Sequence, residues 1–328
     1  MLSPVKFLNI DPIFYLEKCE QPWVKNYLSK AYNIEDGENI ESQIAEHPKV
    51  SKIIKEALTW PGQIPLKRHN DDRHIIHKLT FLADIGLNKE NENVREIGER
   101  ILSNQSENGM FLTLIKLPEI WAEKKGESME WMLCDAASLL YTLLSFGFRN
   151  KQTDEAVREL VWLSDINGWR CKSSCANLKG PGKKNQYCPY SSLLSLKSLS
   201  LIQELTDSEE CLRGIDALLE HWTYRTSQKV RGFSIGSMFM KLRYPNIWYD
   251  ILHVVDVLSR YKSALEDERF LEMWEAIKNK QNSDGSFTPE KIWRAWNSWS
   301  FGQRKLPSPW LTCRVDEINI RIKSHFDP

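Results

Sequence analysis

A short turn recurs along this chain, and its spacing limits the available folds more than any other feature. Gln105 to Phe111 reads QSENGMF, Asp165 to Trp169 reads DINGW, Arg231 to Phe233 reads RGF, and Gln281 to Phe287 reads QNSDGSF. Each is a polar stretch and a glycine, with an aromatic residue directly after it or one position later. The glycines at 109, 168, 232 and 285 lie 59, 64 and 53 residues apart, and Trp60-Pro61-Gly62 reads as a degenerate copy 47 residues before Gly109. A unit repeated at such a period buries its apolar face against its neighbours, so the repeat dictates the whole fold.

The flanks repeat as well. Before each glycine the apolar residues recur three or four apart: Val94, Ile97, Ile101; Val157, Leu160, Val161; Leu212, Ile215, Leu218; Phe270, Met273, Ile277. Arg, Glu and Lys fill the other faces, as on helices that line the outside of a fold. After each glycine comes a loop and a helix that is apolar nearly all round, starting at Cys134, Pro189, Pro245 and Ser308, with the stretch from His69 in the same slot. Helices without a polar face belong inside. Pro189, Pro245 and Pro309 sit near three of these starts, where a missing N–H costs little. The expected fold is all-α: an α/α toroid, a closed double ring of five to six helical hairpins. An open solenoid has shorter units, about 35 to 45 residues, and lacks loops as long as 112–131 and 286–307. The expected organisation is one domain over 1–328, with 1–45 as a helical extension packed on the ring.

Composition narrows the function. Lysine plus arginine number 44 and aspartate plus glutamate 44, so the net charge of zero argues against binding to nucleic acid or an anionic membrane. No stretch is long and apolar enough for a membrane span, and the first residues lack the pattern of an export signal. Seven cysteines, an odd count, then fit a reducing, cytoplasmic setting. Cys19, Cys134, Cys211 and Cys313 read as small buried hydrophobes. Aromatics at 11%, with 13 tryptophans, point to a thick core or an aromatic-lined cavity.

The turns QSENGMF and QNSDGSF resemble the glutamine-to-aromatic repeats of terpenoid (squalene) cyclases and of protein prenyltransferase β subunits, both α/α toroids. The opening around Tyr15-Leu16-Glu17 and Trp23 to Leu28, and the closing stretches Phe301-Gly302-Gln303 and Pro307 to Thr312, extend the resemblance to prokaryotic prenyltransferase/squalene-oxidase-repeat proteins. It covers nearly the whole chain. It implies an isoprenoid or other apolar small-molecule partner, and a prenyltransferase-like or cyclase-like activity. Where squalene-type cyclases carry a run of aspartates that protonates the substrate, this chain has Cys134-Asp135-Ala136-Ala137, which makes Asp135 the candidate acid. Protein prenyltransferases bind zinc with an Asp, a Cys and a His; the matching positions are Gln186, Cys188 and Asp250, so one ligand is retained in kind.

Three constellations carry candidate chemistry. Cys171, Cys175 and Cys188 on a loop rich in Gly, Lys and Ser hold thiols at spacings suited to zinc, with His253 or Asp250 as a fourth ligand. The plain alternative is a cysteine-rich loop without metal. His69, Asp71, Asp72, His74 and His77 gather near the first inner helix, either for metal or acid–base work, or as capping by Asn70 or Asp71 with the histidines packed. Finally, if the inner helices start at one mouth, their N-termini favour an anion such as diphosphate. Lys183-Lys184, Arg243, Arg304 and Lys305 would meet its charge, and Trp248, Tyr249 and Trp310, with Tyr190 and the tryptophans at 293, 296 and 299, its apolar tail. The alternative is that these tryptophans only fill the core. Asp250, in an apolar stretch where a carboxylate is costly, is expected to be held by a cation such as Arg243 or by a metal. The rival to an enzyme is a non-catalytic toroid that binds a lipid, peptide or protein.

Overall fold

A computed structural model describes residues 7–34, 39–118, 126–175, 187–227, 230 and 232–327. The all-α class expected from the repeats is the one observed. In chain order the helices are α1 (Ile13–Leu16), α2 (Pro22–Tyr32), α3 (Ile40–Glu46), α4 (Pro48–Ala57), α5 (Ile75–Asp84), α6 (Glu92–Leu102) and α7 (Leu133–Ser145). There follow α8 (Lys151–Trp162), α9 (Pro189–Leu199), α10 (Glu209–Thr223), α11 (Ile251–Leu258), α12 (Lys262–Leu265), α13 (Glu268–Lys278) and α14 (Pro309–Phe326). The chain divides into two compact units. One takes Met1–Ile40, Leu219–Lys229 and Ser234–Pro328; the other takes Glu41–Leu218 and Val230–Phe233. No helix among the described residues is long and apolar enough to cross a membrane.

The hairpins follow from their residues. Asn91 accepts the N–H of Val94 to cap α6, and Val94, Ile97 and Ile101 are buried while Glu and Arg cover the other side. Every residue of α9 and of α11 is buried, as their lack of a polar face requires. Pro189 and Pro309 open α9 and α14 at their first positions. The repeat glycines 109, 168, 232 and 285 all take φ between +82° and +87°, as does Gly62 at +87°. That left-handed conformation is what selects glycine there. The repeat glutamines brace two of these turns. Gln105 donates from Nε2 to the carbonyls of Gly109 (2.7 Å) and Gln152 (2.8 Å). Gln281 donates to those of Gly285 (3.1 Å) and Ile10 (2.7 Å). Behind the turns Phe111, Trp169, Phe233 and Phe287 are buried.

Four details differ from the sequence expectation. The buried stripe of α8 is Thr153, Ala156 and Leu160, with Val157 and Val161 half-buried at its edge. On α10, Leu212 is exposed and Cys211 takes the inner face. The fourth inner helix begins at Ile251 rather than near Pro245, because the Asp250 side chain accepts the N–H of His253 and caps the helix there. Within 112–131, β1 (Thr113–Ile115) pairs antiparallel with β2 (Ser128–Glu130), Thr113 opposite Glu130. In the first unit the N-terminal segment packs on α14. Leu8 N–H donates to Asn319 Oδ1 (3.0 Å), and the hydroxyls of Tyr27 and Tyr32 donate to Asp316 Oδ2 at 2.8 and 2.6 Å.

Candidate functional site

In the second unit, the start of α7 brings together residues far apart in sequence. Cys134 and Asp135 occupy the helix's first turn and are buried. His69, from the loop before α5, places Nδ1 3.0 Å from Asp135 Oδ1 and 3.4 Å from Cys134 Sγ; that sulfur lies 3.7 Å from the same carboxylate oxygen. Asp135 Oδ2 is also buried and makes no hydrogen bond among the described residues. An orphaned carboxylate oxygen in an apolar surround is costly unless something else engages it. Burial works to lower the His69 pKa, but the charge and hydrogen bond of Asp135 outweigh it and raise it. Burial, then the Asp135 charge, holds the Cys134 thiol well above its ordinary value. Beyond His69 runs an aromatic row: its ring centroid is 6.3 Å from that of Tyr190, which stacks on Phe233 at 6.3 Å and 17°.

Neighbouring chain explains the arrangement. Residues 171–175 run antiparallel beside the approach to α7, where Met132 pairs with Ser173 and Leu133 N–H donates to the Lys172 carbonyl (2.9 Å). Cys188 caps α9 through its sulfur, accepting from Ser191 N–H at 3.5 Å, and its own N–H donates to the Trp169 carbonyl. Cys171 and Cys188 are close enough to interact through their charges. Burial first, then Cys188 and Asp135, push the Cys171 thiol up to about 12. Cys175 is buried in a tight turn with Ser173. The metal-ligating atoms gathered within 4.8 Å of one another among the described residues are those of His69, Cys134 and Asp135. The set Cys171, Cys175, Cys188 and His253 is not such a group. His253 belongs to the other unit, and its Nδ1 is engaged with the Trp248 carbonyl at 3.0 Å.

The remaining histidines take the bland role. His74 caps α5, its Nδ1 accepting the N–H of Ile76, while Asp71, the expected cap, accepts from Arg73 instead. His77 is buried beside them, and burial, aided by the His74 charge, pulls its pKa down to about 3.

In the first unit, Asp250 is fully buried and Arg243 Nε donates to its Oδ2 at 2.7 Å. The other oxygen takes the His253 N–H at 3.1 Å. Both oxygens are thus committed, and the adjoining guanidinium opposes a cation. The zinc position that the prenyltransferase resemblance implies at Asp250 therefore does not fit, and Gln186 lies outside the described residues. Arg243 also lies over the Trp293 ring at 4.6 Å. Tyr249 is buried with its hydroxyl 2.9 Å from His221 Nδ1; Trp248 is half-buried and Arg304 exposed. Trp310 is buried, edge-on to Tyr244. Trp296 and Trp299 pack with Phe301 and Trp23 into an aromatic core, so these tryptophans fill space. Lys183-Lys184 lie outside the described residues. A surface pocket of about 540 Å³ in the second unit, lined by Lys52, Lys55, Ile64, Arg73, His74 and Lys78 among others, has no Phe, Tyr or Trp among its lining residues.

Sequence reasoning placed Asp135 and His69 in separate groups and passed over Cys134. The signal available was register: His69 precedes one inner helix and Cys134-Asp135 open the next, so adjacent hairpins set a loop beside a helix start.

No protein-family model matches the chain, and no curated protein matches it. Solved structures do. The type II terpene cyclase MstE from Scytonema, in its apo form, matches at 13% identity and a TM-score of 0.43, over 92% of this chain and 88% of that one. A variant of that enzyme with geranylgeranyl dihydroxybenzoate matches at 12% identity and a TM-score of 0.40, over 93% and 87%. Another, with merosterolic acid A, matches at 14% and 0.40 over the same shares.

Proposed function

We propose that the chain binds an isoprenoid-like apolar molecule in its second unit and acts on it as a terpenoid-cyclase-like enzyme. The observation that carries this reading is the juxtaposition at the start of α7. A polar end, His69, Cys134 and Asp135 with one carboxylate oxygen uncommitted, adjoins the aromatic row of Tyr190 and Phe233. A ligand with one reactive end and an apolar body matches both parts, and aromatic faces favour positive charge developing along that body. Asp135 then meets the reactive end, held in orientation by His69. Asp250 has a structural part instead, as cap and ion-pair partner.

A second reading, a binding protein without turnover, is favoured by Asp135 standing alone where squalene-type cyclases carry several aspartates. One experiment separates the two. Geranylgeraniol and geranylgeranyl diphosphate are titrated against tryptophan fluorescence, and the incubations are then extracted for cyclised products. Saturable binding, with products lost in Asp135→Asn, supports the enzyme. Binding without product supports the second reading, and no binding of either probe removes the isoprenoid ligand from both.

A further inference from the structure

We propose that His69, Cys134 and Asp135 form a three-ligand site for a zinc-class divalent metal, with a fourth position open. The inference deepens the reading that the start of α7 is the working site, and it differs from the cysteine-loop zinc expected from sequence. Geometry is the first support. With metal–sulfur bonds of about 2.3 Å and metal–nitrogen and metal–oxygen bonds of about 2.0 Å, a tetrahedral ion sets its ligand atoms about 3.5 Å apart for S···N and S···O, and about 3.3 Å apart for N···O. The observed separations are 3.4 Å for Cys134 Sγ to His69 Nδ1, 3.7 Å for Sγ to Asp135 Oδ1, and 3.0 Å for Nδ1 to Oδ1. Three edges of a coordination tetrahedron are therefore in place without any rearrangement of the chain.

The second support is independent of those distances. Asp135 is 4% exposed, and its Oδ2 is buried with no hydrogen-bond partner among the described residues. A carboxylate so enclosed gains a partner when a cation binds, either through Oδ1 alone or through both oxygens. The donor set of one thiolate, one imidazole and one carboxylate suits a borderline ion such as zinc, rather than calcium or magnesium, which take oxygen ligands only. The helix N-terminus opposes a cation at this place, but two anionic ligands outweigh it. Cys134 and Asp135 are buried while the His69 side chain is 27% exposed, so solvent reaches the cluster past the imidazole. Three protein ligands with one open position is the arrangement of metal sites that act on a ligand, whereas structural sites close with four.

The test uses the full chain, stripped with chelator and titrated with Co(II), then with Zn(II) in competition. The expected result is one equivalent of Co(II) with a thiolate-to-cobalt charge-transfer band that Zn(II) abolishes. That band disappears in Cys134→Ser, while Cys19→Ser retains it. His69→Gln and Asp135→Asn should each weaken Co(II) uptake 10-fold or more, with circular dichroism checking that the variants remain helical. A band that survives Cys134→Ser but is lost in Cys171→Ser and Cys188→Ser would overturn the proposal in favour of the cysteine loop, as would no uptake at all. Titrating geranylgeraniol into metal-free and Zn(II)-loaded protein keeps the two readings apart. Binding that depends on Asp135 without any metal uptake leaves the ligand reading standing and sinks only this one, whereas metal uptake without ligand binding does the reverse.

Discussion

At the scale of single residues, the buried charges and imidazoles decide how the protein responds to mutation and acid. Asp250 offers one oxygen to Arg243 and the other to the His253 N–H, so its removal leaves a buried guanidinium unpaired and α11 uncapped. Breaking a buried pair in this way costs about 3–5 kcal/mol. Asp250→Ala should therefore lower the melting temperature steeply, and adding Arg243→Met should recover part of the loss in a double-mutant cycle. His221 sets a pH dependence. Burial lowers its pKa from the ordinary 6.5 to about 4. The unfolded chain takes up the proton near 6.5, while the folded chain stays neutral until about 4. The contribution of His221 is therefore fully present above pH 6.5 and is lost as pH falls toward 4, at most about 3 kcal/mol. Denaturant melts at pH 7, 6, 5 and 4 should show this decline, and His221→Gln, which can still reach the Tyr249 hydroxyl, should make it shallower, leaving the part that His77 contributes over the same range.

At the scale of elements, the repeat turn shows why so much of the hairpin plan was legible. A glycine at φ near +85° and an aromatic behind it are demands on residue type, and residue type is what a sequence displays. The same turns allow a paired comparison. An alanine at 168 or 232 meets the same left-handed strain, about 1–2 kcal/mol, because φ is +82° at one and +86° at the other. At Gly168 the added carbon would also lie 2.8 Å from Ser192 Oγ, which is held by the Trp169 N–H at 3.0 Å, whereas at Gly232 nothing among the described residues lies within 4 Å. Gly168→Ala should accordingly lower the melting temperature more than Gly232→Ala. Equal losses would mean that Ser192 yields freely. The start of α11 was misplaced because Pro245 is a strong opening signal, while Asp250, five residues on, supplies the actual cap.

At the scale of the whole molecule, periodicity revealed the elements but not which loops meet which helix starts. His69 and Cys134 are 65 residues apart, and no local pattern marks them as neighbours. Cys171, Cys175 and Cys188 were conspicuous because they share one loop, and proximity in sequence is a poor guide to proximity across hairpins. The same separation of sequence from space governs the first unit, where Tyr27 reaches across 289 positions to Asp316. The ribosome delivers the chain from one end at about 5–20 residues per second, so α2 emerges roughly 15–60 s before the helix that receives it. Throughout that interval Trp23, Val24 and Leu28 have no α14 to cover them, while the sequence of Glu41–Leu218 emerges in between. The nascent protein therefore carries the apolar face of α2 uncovered through that interval, open to a chaperone.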